Sequence, residues 1–118
     1  QRLAARYGCV VVLKGAGTVV TAPDAIPVVI DAGNPGMASG GMGDALTGVL
    51  AALLAQYAAE PGGAHDAVHF ASPHAIAVCA ALLHSAAADA AARDGGERGL
   101  LASDLFPHLR RLANPVNA

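Results

Sequence analysis

The sequence predicts an α/β domain, and more narrowly the C-terminal part of one. Three observations carry that reading. The runs "CVVVLKG", "TVVTAP" and "PVVIDAG" are apolar without alternation, the pattern of strands buried on both faces. A glycine-rich segment then feeds a long apolar helical pattern, "GGMGDALTGVLAALL". No helix lies between the three strands, so the helices that follow cannot cover both faces of the sheet. Either the chain oligomerises or its sheet belongs to a larger one, and the second reading is preferred.

Each element has a local cause. "QRLAARYG" reads as the last turns of a helix, with Arg2 and Arg6 near its C-terminus and Gly8 as the residue that ends it. The connection "KGAG" between the first two strands is too short for a crossover helix and predicts a hairpin. Pro23 to Pro27 form a turn. A helix is expected from about Asp44 to Tyr57, with Leu46, Val49, Leu50, Leu53 and Leu54 on one face. "EPGG" stops it, and Asp66 to Phe70 read as a short helical turn. Ser72-Pro73 is an N-cap and first-turn pair for a helix running to about Arg93, before Gly95-Gly96. Ser103 caps a last helix, Asp104 to Leu112, and the tail "NPVNA" frays.

The 118 residues amount to one domain or less. Hydrophobic residues make up 54% and charged residues 14%, the latter well under the usual share of about a quarter. Alanine supplies much of the apolar count, which predicts closely packed helices. A net charge of -2 and few aromatics argue against a nucleic-acid surface. An acidic substrate would be held by local geometry rather than by a broad positive field. Cys9 and Cys79 sit in apolar runs and read as buried thiols of a reducing, cytoplasmic compartment. No apolar run approaches the ~18 residues of a membrane span, and no signal peptide is visible. A chain that opens on Gln1 reads as one whose natural start lies upstream.

Glycines at 33, 36, 40, 41 and 43 crowd the approach to the first long helix. Glycine allows positive φ and lets the backbone come close to a ligand. A glycine-rich turn leading into a helix N-terminus gathers free N–H groups at the positive end of the helix dipole. Gly40, Gly41, Met42 and Gly43 are therefore candidates for an anion hole suited to phosphate. The competing reading is a tight strand-to-helix turn with Asp44 as a plain N-cap. Two familiar nucleotide motifs do not fit. No Lys-Ser or Lys-Thr follows the glycines, and Gly15-Ala16-Gly17 lacks the third residue of a dinucleotide fingerprint. "KGAGT" is the second candidate. Lys14, Gly15, Ala16, Gly17 and Thr18 could hold the phosphates or ribose of a nucleotide, or could be a hairpin loop with an exposed lysine.

Two long segments, "VVLKGAGTVVTAP" and "VIDAGNPGMASGGMGDALTGVLAALLAQ", resemble the ADP/ATP-dependent NAD(P)H-hydrate dehydratases, which have a ribokinase-like fold. "LLHSAAADAAA" and "GERGLLASDL" are similar to that family's C-terminal segments. The resemblance implies a partial ribokinase-like three-layer α/β/α fold, with residues 1–118 as the C-terminal part of a single domain. It implies ADP- or ATP-dependent dehydration of the S epimer of hydrated NADH or NADPH. Phosphorylation of the C6 hydroxyl and loss of phosphate restore the nicotinamide, with Mg2+ accompanying the nucleotide. Carried over residue by residue, Lys14 to Thr18 and Gly43 bind the adenine nucleotide, while Asp44 faces the hydrated cofactor as the base. A helix N-terminus favours the ionised carboxylate, but phosphoryl transfer has a loose transition state in which the proton leaves late. Asp44 then mainly orients the hydroxyl, while the Gly40 to Gly43 amides stabilise the transferred group.

Other residues carry less. His65 and His69 have helical spacing, but with no third ligand no metal site is assigned. His84 could approach the nucleotide, with helix packing the preferred role. Asp31 could order the glycine loop or help place magnesium, and ordering is preferred. Asp89 reads as a solvated helix residue, His74 and His108 as without signal, and Met37 and Met42 as packing residues. The expected partners are the hydrated dinucleotide, the adenine nucleotide and further copies of the chain, with no nucleic acid or membrane. Two rivals remain: a small-molecule kinase of the same superfamily, and a non-catalytic nucleotide-binding or assembly fragment.

Overall fold

The computed structural model describes residues 1–59 and 72–114. The turn expected at 66–70, the stop at "EPGG", the His65/His69 pair and the fraying tail after Asn114 lie outside the described residues. The elements run α1 (Arg2–Tyr7), β1 (Val11–Leu13), β2 (Thr18–Thr21), β3 (Val28–Ile30), α2 (Met42–Ala59), α3 (Pro73–Gly95) and α4 (Leu105–Ala113). Short 3-10 turns at Pro35–Met37 and Ala102–Asp104 precede α2 and α4.

Gly8 ends α1 in the left-handed region, at φ 61°, and its N–H donates to the Ala4 carbonyl. The three strands form an antiparallel meander in the order β1-β2-β3, with Val12 opposite Val20 and Val20 opposite Val28. The expected hairpin is present. Opposed residues share a face, so Val12, Val20, Val28 and Ile30 point one way and Leu13, Val19 and Val29 the other. The first face is covered by α3: Val20 and Ile30 are buried with Ala77 and Ala81, and Leu50 of α2 packs on the same cluster. On the second face Leu13 is 64% and Val29 62% exposed. The strands are doubly apolar in sequence, and the described residues cover one face of them.

Ser72 caps α3 through its hydroxyl, which accepts from the Ala75 N–H at 3.1 Å, with Pro73 in the first turn. The His74 ring lies 3.3 Å from the Val20 carbonyl and ties the start of α3 to β2. Alanines let α3 approach its neighbours closely. Ala87, Ala88 and Ala91 form a second cluster with Met42 of α2 and Leu100 and Leu105 on either side of the last 3-10 turn. By length and composition α3 is apolar enough to cross a membrane, contrary to the sequence expectation, yet more than half of its apolar window is buried in this core.

Local geometry corrects several expectations. Helix α2 starts at Met42 rather than Asp44, because Gly41 takes φ 84° and its carbonyl accepts the first helical bond, from Ala45 N–H at 2.9 Å. Asp44 is thus the third residue of the helix and not its cap. The last helix is preceded by a turn closed by Asp104, whose carboxylate accepts from the Leu101 N–H at 2.9 Å, and Ser103 caps nothing. Both cysteines are exposed. Cys79 shares an apolar run with Ala77 and Ala80, but those alanines make up the inward face of α3 and Cys79 lies off it.

Candidate functional site

The segment between β3 and α2 is held by a residue far along the chain. The Asp89 carboxylate of α3 accepts from the Gly33 N–H and from the Asn34 side-chain amide, both at 2.9 Å. The Asn34 side-chain oxygen in turn accepts from the Gly36 N–H at 3.1 Å and caps the 3-10 turn. Gly36 is required by space: a Cβ there would stand 2.5 Å from the Glu97 carbonyl oxygen and 3.1 Å from Leu100 Cβ. Asp89, expected to be a solvated residue, is therefore the loop's anchor. Asp31 is exposed and makes none of these bonds among the described residues.

This bracing presents the N-terminus of α2. With Gly41 in the cap position, the amides of Met42, Gly43 and Asp44 are the first-turn donors that have no helical acceptor. The ammonium of Lys14, from the β1–β2 hairpin, lies 3.6 Å from where a Cβ on Gly43 would stand. A cation at the positive end of a helix is unfavourable by itself. An anion between them reverses the sign of both interactions, and the absent Gly43 side chain leaves room for its approach.

A cavity of about 530 Å³ opens beside this pair. Lys14, Gly15, Ala16 and Thr18 form one wall, Ala32 to Pro35 with Met37 and Ala38 the second, and Ala81, His84 and Ser85 of α3 the third. His84 is buried, and desolvation lowers its pKa from the ordinary 6.5; a hydrogen bond with the Met42 backbone raises it, and the Lys14 charge lowers it.

The expected residues are brought together in part. Lys14, Gly15, Ala16 and Thr18 line the cavity, and Gly43 stands beside the Lys14 ammonium. Gly17 points its missing side chain at Val29 instead. Gly40 is exposed, Met42 buries its side chain in the core, and Asp44 is exposed on the first turn of α2, outside the cavity wall. Asn34 and Asp89 were not legible as site residues. The available signal was a single acid in an otherwise alanine-rich helical run. Among the described residues no group of three or more His, Cys, Asp or Glu could hold a metal ion.

A family model described as NAD(P)H-hydrate dehydratase matches residues 1–111. The chain belongs to the NAD(P)H-hydrate dehydratase family. It is 52% identical over 116 residues to the bifunctional NAD(P)H-hydrate repair enzyme of Escherichia coli (strain K12), covering 98% of this chain and 20% of that protein. It is 38% identical over 118 residues to the ADP-dependent (S)-NAD(P)H-hydrate dehydratase of Neisseria meningitidis, covering 98% and 35%. The crystal structure of the ADP/ATP-dependent NAD(P)H-hydrate dehydratase of Bacillus subtilis, co-crystallized with ATP/Mg2+, superposes with a TM-score of 0.76 at 31% identity, over 95% of this chain and 36% of that one. The fold is thus the ribokinase-like one of this family, in part. The chain spans about a fifth to a little over a third of the length of these relatives.

Proposed function

We propose that residues 1–118 are the C-terminal part of a single dehydratase domain and supply its nucleotide-binding and catalytic surface. The reaction is the ADP- or ATP-dependent dehydration of the S epimer of hydrated NADH and NADPH. The observation that supports it most is the Lys14 ammonium set against the Gly43 amide turn at the mouth of the cavity. Lys14 to Thr18 hold the nucleotide, and the Gly40 to Gly43 backbone faces its terminal phosphoryl group. Asp44, the next residue of α2 and exposed, is assigned to the hydrated dinucleotide. It orients the C6 hydroxyl and accepts its proton as the phosphoryl group transfers from the nucleotide; the ring N1 lone pair then expels phosphate from C6, and loss of a C5 proton to solvent forms the C5–C6 double bond.

Magnesium bound with a nucleotide takes phosphate oxygens and keeps several waters. Among the described residues no cage of carboxylates stands here, which suits that mode, and Asp31, just after β3, is the candidate to reach a coordinated water. The apolar outer sheet face, with Leu13 and Val29 exposed, suits cover by further protein, either the rest of the domain or another copy. The cytoplasm, where the dinucleotides reside, is the expected compartment.

The test is made in the full-length protein. Wild type should restore NADH absorbance from its hydrate when given ADP or ATP, whereas a kinase would release a stable phosphorylated product. Asp44→Asn should lose on the order of 10²-fold or more in turnover with nucleotide affinity retained. Near-wild-type turnover in that variant removes Asp44 from the base role, and unchanged nucleotide affinity in Lys14→Met removes the phosphate site.

A further inference from the structure

His84 is 2% exposed, lines the cavity, and leaves Nε2 without a hydrogen-bond partner. Buried polar atoms are almost always paired, so an orphan on a cavity wall calls for an explanation. The neighbouring groups do not supply a partner. Lys14 faces the ring with a positive charge, and the Met42 backbone engages it from α2. Ser85, next on the same helix, is buried beside the cavity as well. Burial and Lys14 both disfavour the imidazolium. A neutral ring with its proton on Nδ1 keeps a lone pair at Nε2. That lone pair accepts a hydrogen bond and repels a phosphate oxygen.

We propose that His84 Nε2 is a specificity-determining acceptor for an N–H or O–H donor on the base or ribose of the nucleotide bound in this cavity. The proposal rests on the nucleotide-binding reading above. Two donors share the required chemistry, the exocyclic amine of adenine and the ribose 2′-hydroxyl. A phosphate oxygen is excluded from this role and belongs at Lys14 and the α2 N-terminus.

Binding of ATP, ITP and 2′-deoxyATP to the full-length protein is measured by calorimetry, for wild type, His84→Leu and His84→Gln. ITP lacks the amine and 2′-deoxyATP lacks the hydroxyl. His84→Leu should weaken ATP roughly 3- to 10-fold, the range of one neutral hydrogen bond, and His84→Gln should recover part of the loss. The analogue that lacks the true donor should bind wild type and His84→Leu equally, which identifies the donor. Equal losses for all three nucleotides, or no loss for any, overturn the proposal while leaving the nucleotide site intact. Failure of wild type to bind any of the three overturns both readings. Thermal unfolding of the variants is followed in parallel, and a His84→Leu protein that does not fold leaves the decision to the same three ligands with His84→Gln, whose amide also donates and should blunt the discrimination.

Discussion

The Asp89 carboxylate and the Asn34 side-chain amide, separated by 55 positions, meet at 2.9 Å. Together with the Gly33 N–H on the other carboxylate oxygen, this pair fastens the loop after β3 to the helix that floors the cavity. The bonds are charge-assisted, so they are stronger than neutral ones. Asp89→Ala should destabilise the protein by about 1–3 kcal/mol, read as a lower thermal midpoint, and should speed hydrogen exchange at the Gly33 and Gly36 amides. Asp89→Asn should lose less, because one acceptor oxygen survives. Unchanged exchange at those amides in Asp89→Ala would show that the loop holds itself.

Gly36 and Gly40 lie in the same loop but should respond unequally to alanine. At Gly36 a Cβ meets the Glu97 carbonyl oxygen at 2.5 Å, and the backbone has to shift, at a cost of about 1–3 kcal/mol. At Gly40 no atom lies within 4 Å of the added Cβ, and φ is not positive. Gly40→Ala should therefore fold with near-wild-type stability. Denaturant unfolding of both variants checks the contrast, and equal midpoints would contradict it.

His84 makes stability depend on pH. Its pKa in the folded chain is lowered from 6.5 by burial, so below about pH 6.5 the unfolded chain binds more protons than the folded one. The His84 contribution is fully present above that pH and is lost as pH falls through 6.5 toward the folded value. Thermal midpoints measured from about pH 8 down to about pH 5 should fall on the acid side, and His84→Leu should flatten that fall. A parallel fall in wild type and variant would assign it to other groups.

The outer sheet face predicts association of the isolated 118-residue chain. Leu13 and Val29 flank Val19 in register there, 64% and 62% exposed. Contiguous apolar surface of this kind favours contact with other protein. Light scattering should show more than one copy per particle, and the double change Leu13→Lys with Val29→Thr should lower the mass. A monomeric wild-type chain at the same concentration would refute the expectation.

Much of the architecture was legible because its causes are local. The four-residue link "KGAG" dictates a hairpin, Gly8 ends α1 in a conformation glycine adopts freely, and Ser72-Pro73 starts α3. The start of α2 was missed by two residues because Gly41, not Asp44, closes the first helical bond. The buried state expected for Cys9 and Cys79 failed for a different reason. Apolar neighbours in sequence report mean hydropathy, whereas exposure depends on placement: Cys9 falls in the bend between α1 and β1, before the strand begins, and Cys79 lies off the inward face of α3.

By itself, then, the sequence determined the elements whose geometry is set within a few bonds: strands, hairpin, the helix boundaries at Gly8 and Ser72, and the concentration of glycines at a helix N-terminus. It also carried, through resemblance, the family to which the chain belongs. Tertiary structure alone decided which groups meet. Asp89 reaches Gly33 and Asn34, the Lys14 ammonium comes to rest over Gly43, and His84 is buried with an unpaired nitrogen on the cavity wall. Those relationships join residues tens of positions apart. Hydrogen-bond geometry and desolvation act through space, and no local pattern encodes the packing of α3 against the sheet that brings such residues together.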